Sequence, residues 1–196
     1  MSWGIIYYGF AVFLRAMETD LRASRVEVTG AFSLGLLVAG LAAVPVGRWI
    51  DRRGARGLMT LGSCTGTALL LAWSRVEGLG ALYAVWCGMG LAMAATLYEP
   101  AFAAIVGWFT RHRDRALLAV TLAGGLASTI FMPFATWLLE RLGWRDAIVA
   151  LAAILAVTTI PIHADLHRRG PDHLILRSAH QRRRDEEAQR DDEDAR

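Results

Sequence analysis

Lysine is missing altogether from this 196-residue chain: all 21 basic residues are Arg, and 18 acidic residues leave a formal net charge of only +3. That balance is too slight to recruit a polyanion, so no nucleic-acid partner is expected. Cysteine is nearly missing too. Cys64 and Cys87 each fall inside an apolar stretch, where a thiol acts as a small packing residue, and no second ligand lies at a metal-binding spacing. Neither a disulfide nor a metal site is therefore expected. The parts of a catalytic centre are absent as well. The five histidines, His112, His163, His167, His173 and His180, lie in a charged loop or in the tail, so no Ser-His pair can form among the apolar stretches. There is no His-Glu-x-x-His helix and no phosphate-cradling glycine loop. These absences argue against an enzyme and against a bound cofactor.

What the sequence has instead is uncharged length. Apolar residues make up 55% of the chain, and the charges gather in short clusters instead of dotting every helical turn. Between the clusters lie uncharged stretches of 20 residues (Val28 to Gly47), 18 (Gly57 to Ser74), 21 (Gly78 to Tyr98), 24 (Ala116 to Leu139) and 16 (Ala147 to Ile162). A helix needs roughly 20 residues to cross a hydrocarbon core of about 30 Å. The opening Met1 to Leu14 is also apolar. It has no basic flank and no small-residue cleavage site, so it reads as a first helix that lacks its beginning, not as a removable signal. The expectation is an all-α polytopic membrane protein with six crossing helices at about 1–17, 28–47, 57–74, 79–109, 116–139 and 147–162. Short charged links between them force successive helices to run antiparallel.

Counting Arg on alternate sides orients the chain. Loops 48–56 and 111–115 hold seven, and Arg168, Arg169, Arg177 and Arg182 bring that side to eleven, against six on the other. The positive-inside bias then places the 48–56 loop and the C-terminal tail in the cytoplasm, as in a bacterial inner membrane. Trp49, Trp73, Trp108, Trp137 and Trp144 fall at expected helix ends, where an indole favours the headgroup layer. Beyond the membrane part, residues 1–162, the tail 163–196 carries eight Arg and nine acids. Such a polyampholyte has little to bury and is expected to be solvated, disordered or partly helical through Arg–acid pairs.

The loop after the second helix reads Gly47-Arg48-Trp49-Ile50-Asp51-Arg52-Arg53-Gly54-Ala55-Arg56. It resembles the Gly-x-x-x-Asp-Arg-x-Gly-x-Arg/Lys motif of the major facilitator superfamily, with Gly47, Asp51, Arg52, Gly54 and Arg56 in register. The glycines suit close backbone approach and a tight turn, and Asp51 can accept from Arg or a helix N-terminus. Further stretches are similar to the monocarboxylate-porter and oxalate/formate-antiporter branch: Tyr8 to Arg15, Ser24 to Leu34, Glu99-Pro100-Ala101, Gly107-Trp108-Phe109, Arg115-Ala116, Gly124-Gly125, Pro133, Gly143-Trp144-Arg145 and Arg169-Gly170-Pro171-Asp172. The resemblance implies a secondary transporter whose six-helix halves each contain two inverted three-helix repeats, with the solute held between halves. Only the first half is found here. The motif loop then acts in gating, by bracing that half against a helix of the second.

The resemblance and the apolar pattern together nominate pathway residues. Glu99 interrupts a long apolar segment beside Pro100, where a carboxylate should face the bundle interior or a wet cavity. It is a candidate proton or substrate group, against a structural reading as an Arg partner or a boundary residue. Tyr7 and Tyr8 are candidates for lining the central cavity, which the first helix faces in the family. Position 8 is Tyr where this branch often has a basic residue. Ser128 joins Gly124 and Gly125 on a small-residue face, which close helix packing explains more often than solute contact. Two functional readings follow. One is a transporter module for a small solute such as a monocarboxylate or similar organic anion, in lipid, completed by a second six-helix half or a copy of itself. The other is a non-transporting membrane remnant or accessory six-helix protein.

Overall fold

The computed structural model describes residues 2–53, 55–96, 102 and 113–165, and among these there is helix and turn but no strand. A π-helical turn, Trp3–Tyr8, runs without a break into α1, Gly9–Asp20. There follow α2 (Arg25–Arg53), α3 (Ala55–Trp73), α4 (Leu79–Thr96), α5 (Arg113–Leu142) and α6 (Trp144–Asp165). Among the described residues, four segments are long and apolar enough to cross a bilayer by themselves: Arg25–Arg53, Leu79–Thr96, Leu117–Leu142 and Trp144–Ile162.

Several helices outrun the uncharged stretches that announce them. α2 continues through the charged motif to Arg53, so residues 48–53 are helix where the sequence suggests a loop. α1 reaches Asp20, α5 ends at Leu142 and α6 at Asp165. Charge marks where hydrocarbon stops, but backbone hydrogen bonding goes on into water. It is favoured by Arg52 and Arg53 at the negative end of α2 and by Asp114 and Asp146 in the first turns of α5 and α6. The expected fourth helix is described only to Thr96.

The turns that reverse the chain have local causes. Leu21 N–H donates to the Met17 carbonyl (2.9 Å), and Arg22 takes a left-handed conformation (φ 49°) that stops α1. Ser24 and Glu27 then form a reciprocal cap on α2: Ser24 N–H donates to Glu27 Oε2 (2.8 Å) and Glu27 N–H to Ser24 Oγ (3.3 Å). Gly143, at φ +79°, separates α5 from α6, with its N–H donating to the Leu139 carbonyl (3.0 Å).

The core is aromatic. Trp73 and Trp86 are fully buried with their rings 5.1 Å apart, and Phe10, Phe13 and Phe32 pack edge-on or stacked around them. Trp73 Nε1 donates to the Met17 sulfur (3.2 Å). Trp73 and Trp144 thus sit at helix ends as their spacing suggests, but both are buried in protein; Trp49 and Trp137 face outward, and Trp108 lies outside the described residues. Between helices the fit depends on small residues. α2 and α4 cross so closely at Gly35 and Gly90 that a Cβ on Gly90 would collide with the Gly35 carbonyl oxygen and lie 2.9 Å from Val38 Cβ. In lipid, where apolar burial drives nothing, this kind of contact supplies the association.

The helix pairs repeat. α2 packs on α4 and α1 on α5, α3 packs on both α4 and α6, α1 touches α6, and α2–α3 is matched by α5–α6. Exchanging α1 with α4, α2 with α5 and α3 with α6 maps these pairs onto one another; α1 also packs on α2, and the counterpart of that pair, α4–α5, is not matched among the described residues. The two three-helix units run in opposite senses, because α1 ends on the side where α4 begins. Inverted repeats of this kind produce such a pattern.

Candidate functional site

Three places could carry function, and they lie at different depths. On one side of the bundle, Arg145 at the start of α6 gathers three chain reversals. Its guanidinium donates to the Ser74 carbonyl (2.9 Å), the Val76 carbonyl (2.7 Å) and Asp20 Oδ2 (2.7 Å), and it stacks on the Trp144 ring at 4.4 Å. The end of α1, the α3–α4 turn and the α5–α6 turn therefore share one side. Arg25 joins them by a 2.8 Å ion pair with Glu18. The planar fork of Arg suits three acceptors at once, which Lys could not reach in the same geometry.

On the opposite side lies the motif. Gly47, Asp51 and Arg52 ride on the last two turns of α2, with Asp51 and Arg52 exposed, and Arg53 covers the Trp49 ring at 4.6 Å. Gly54 lies outside the described residues, and Arg56 falls in the first turn of α3. The close approach expected at Gly47 is not found: a Cβ there would meet nothing within 4 Å among the described residues. Asp51 likewise has no ion pair or hydrogen bond among them. Asp51, Arg52 and Arg53 are thus exposed at the end of α2.

Between these two ends is the π-helical turn. A turn closed from i to i+5 brings both Tyr7 and Tyr8 beside Trp3, at 4.8 and 6.4 Å between rings, and Tyr7 meets Phe32 of α2 edge-on at 5.4 Å. Both tyrosines are half-buried. Twelve residues separate Tyr8 from Asp20, or about 18 Å of helix, which puts the pair near mid-depth. Ser128, on α5, donates its hydroxyl back to the Gly125 carbonyl of its own helix (3.1 Å), and Gly125 has open space where helix packing is expected. Gly125 is exposed, whereas Gly124 and Ser128 are half-buried. Glu99 lies outside the described residues. The structure thus brings Tyr7 and Tyr8 together and keeps them apart from the α2 motif; the turn that carries them packs on α5, where Gly4 meets Phe131, three residues beyond Ser128.

Two features were not nominated from sequence. Phe32 and Trp86 stand in apolar stretches with nothing to distinguish them from ordinary core. Arg145 carried a usable signal, an Arg one residue past a Gly-Trp pair at a helix start, but its three acceptors come from segments 69 to 125 residues away.

A bundle of antiparallel apolar helices, arranged as two inverted triplets with the charges of the described residues gathered towards the helix ends, is an integral membrane protein built like half of a secondary transporter. The family model of the Major Facilitator Superfamily matches residues 1–184, and the chain belongs to that superfamily. It is similar to the uncharacterized MFS-type transporter YcxA of Bacillus subtilis (27% identity over 156 residues; 78% of this chain and 38% of that protein). It is also similar to monocarboxylate transporter 13 of Bos taurus (30% over 150 residues; 74% and 34%) and monocarboxylate transporter 11 of Mus musculus (31% over 117 residues; 58% and 26%). The chain spans about a third of the length of these curated relatives.

Proposed function

We propose that this chain forms the first half of a secondary transporter that moves a small organic anion, of the monocarboxylate class, across a bacterial inner membrane with its tail in the cytoplasm. The observation that carries the reading is the uncovered α2–α5 surface. Leu37, Leu41 and Val44 on α2 and Leu118, Leu122, Leu126 and Ile130 on α5 are exposed at helical spacing, and α2 ends in Asp51 and Arg52, exposed and without an ion pair among the described residues. These are the equivalent helices of the two triplets. A second six-helix unit, from another segment or a second copy of this chain, would cover both and supply the partner for Asp51. The similarity to monocarboxylate transporters supports the solute class. The Arg distribution supports the orientation.

Uptake of labelled acetate and lactate into proteoliposomes tests this, with the chain alone and with a second half supplied. Asp51→Asn should lower uptake by about tenfold, the scale of a lost charge-assisted contact, at unchanged protein content. Glu99→Gln should flatten the pH profile of the same uptake if Glu99 carries the coupled proton. An unaltered Asp51→Asn rate would remove the motif from the mechanism. No uptake with either assembly would leave the accessory-protein reading standing.

A further inference from the structure

The charged end of α2 and the far end of α5 carry the same residues in the same order. Pro45, Trp49, Arg53, Gly54 and Arg56 are matched by Pro133, Trp137, Arg141, Gly143 and Arg145, with Leu142 as the one inserted residue. Five prolines and seven tryptophans in 196 residues make a Pro-x-x-x-Trp-x-x-x-Arg run scarce by composition, yet it occurs on both of the helices that inversion exchanges. In both copies the Pro and the Trp are exposed, and a flat group covers the indole: the Arg53 guanidinium at 4.6 Å on Trp49, the Phe134 ring at 6.1 Å on Trp137. The motif thus has an inverted second copy on the opposite side of the bundle, and Arg145 holds the place in it that Arg56 holds in the first. The copies differ where the motif keeps its acid. Leu139 stands in register with Asp51, so α5 offers no carboxylate there, and Arg145 takes one from α1 instead.

The acceptors of Arg145 are of two kinds. The Ser74 and Val76 carbonyls are main chain, just past the end of α3, where a helix leaves acceptors open and its negative end favours a cation. Asp20 Oδ2 belongs to a side chain at the end of α1, and that ion pair is open to water, with 36% of the Arg145 side chain and 44% of the Asp20 side chain exposed. Water can take over from Asp20 while the two carbonyls keep Arg145 in position. The pair joins α1 of the first triplet to α6 of the second, whereas the neighbouring Glu18–Arg25 pair stays within the first. Resting on the transporter reading above, we propose that the Asp20–Arg145 pair is a releasable latch between the triplets, formed when this side of the transporter is closed and broken when it opens. Arg145 is the fixed half of the latch, and the end of α1 is the moving half. Both are positioning residues: they touch no solute and act by holding α1 against the α3–α4 turn.

Hydrogen exchange on the full chain in lipid nanodiscs, read by mass spectrometry, tests the latch. Asp20→Asn should speed exchange about threefold over the last two turns of α1, the scale of a partly exposed ion pair, and leave residues 74–82 as they were. Arg145→Gln should speed both segments, and Asp20→Glu should restore the parental rates. Uptake of labelled lactate with a second half supplied, in vesicles whose Arg145 side faces the medium, tests the part the latch plays in transport. A weaker latch holds more of the transporter open to the medium and slows its return, so Asp20→Asn should lower KM and kcat together, each about threefold, whereas Glu18→Gln should move neither. Exchange in α1 unchanged by Asp20→Asn, or the same in Arg145→Gln as in Asp20→Asn at both segments, would overturn the latch. Exchange as expected with KM unmoved would reduce the pair to a structural tie and overturn its part in the cycle, while leaving the transporter reading intact. A parent chain without uptake would count against the transporter reading and the latch with it.

Discussion

Arg145 shows how one side chain fixes the relation of distant segments. Its three acceptors belong to the end of α1 and the α3–α4 turn, and none is adjacent to it in sequence. Replacing it by Gln leaves two carbonyls and a carboxylate without their charged donor. The expected loss is about 1–3 kcal/mol, kept modest because the site is partly open to solvent. Arg145→Lys should recover only part of it. Titration of the detergent-solubilised chain with SDS, followed by Trp fluorescence, measures both. Gly90 makes the complementary point about space. Gly90→Val drives methyl groups into the Gly35 carbonyl and Val38, and should cost about 1–3 kcal/mol in the same titration. Gly125→Val, facing open space in this bundle, should be nearly neutral. Equal effects at the two glycines would contradict the close α2–α4 crossing.

At the scale of helices, the uncharged stretches locate the elements well because a hydrocarbon solvent makes composition almost the whole signal. They locate the ends poorly. Asp51, Arg52 and Arg53 read as a loop because they are charged, yet they continue α2, since an exposed helical turn satisfies its own backbone whatever its side chains. The turns are legible where a specific residue makes them. Gly143 needs positive φ, so Gly143→Ala should cost about 1–2 kcal/mol by forcing a side chain into the left-handed region, and should loosen the α5–α6 junction beside Arg145. The candidate site is only half legible. Tyr7 and Tyr8 stand out as a polar-tipped pair in an apolar segment, but their meeting with Phe32 depends on the α1–α2 crossing and on a π-turn that no local pattern announces. Trp73 and Trp144 mislead in the opposite way: they sit at helix ends, as a headgroup anchor would, and are buried by neighbouring helices.

For the whole molecule, two inverted triplets leave α2 and α5 as the helices with the most uncovered surface, and both carry an interior proline, Pro45 and Pro133, at matching positions. A bundle so arranged keeps the ends of α1, α3 and α5 on one side of the membrane, beside Arg145, and the α2–α3 junction on the other. Side-specific labelling tests that alternation most directly. In a Cys64→Ala/Cys87→Ala background, single cysteines at Arg22, Glu77, Glu140, Arg53 and Asp114 would be exposed to a membrane-impermeant maleimide from one face of sealed vesicles. The account predicts that positions 22, 77 and 140 react together from one face and positions 53 and 114 together from the other. Positions 53 and 114 reacting from different faces, or position 22 sharing a face with 53, would contradict the six-helix inverted-repeat architecture.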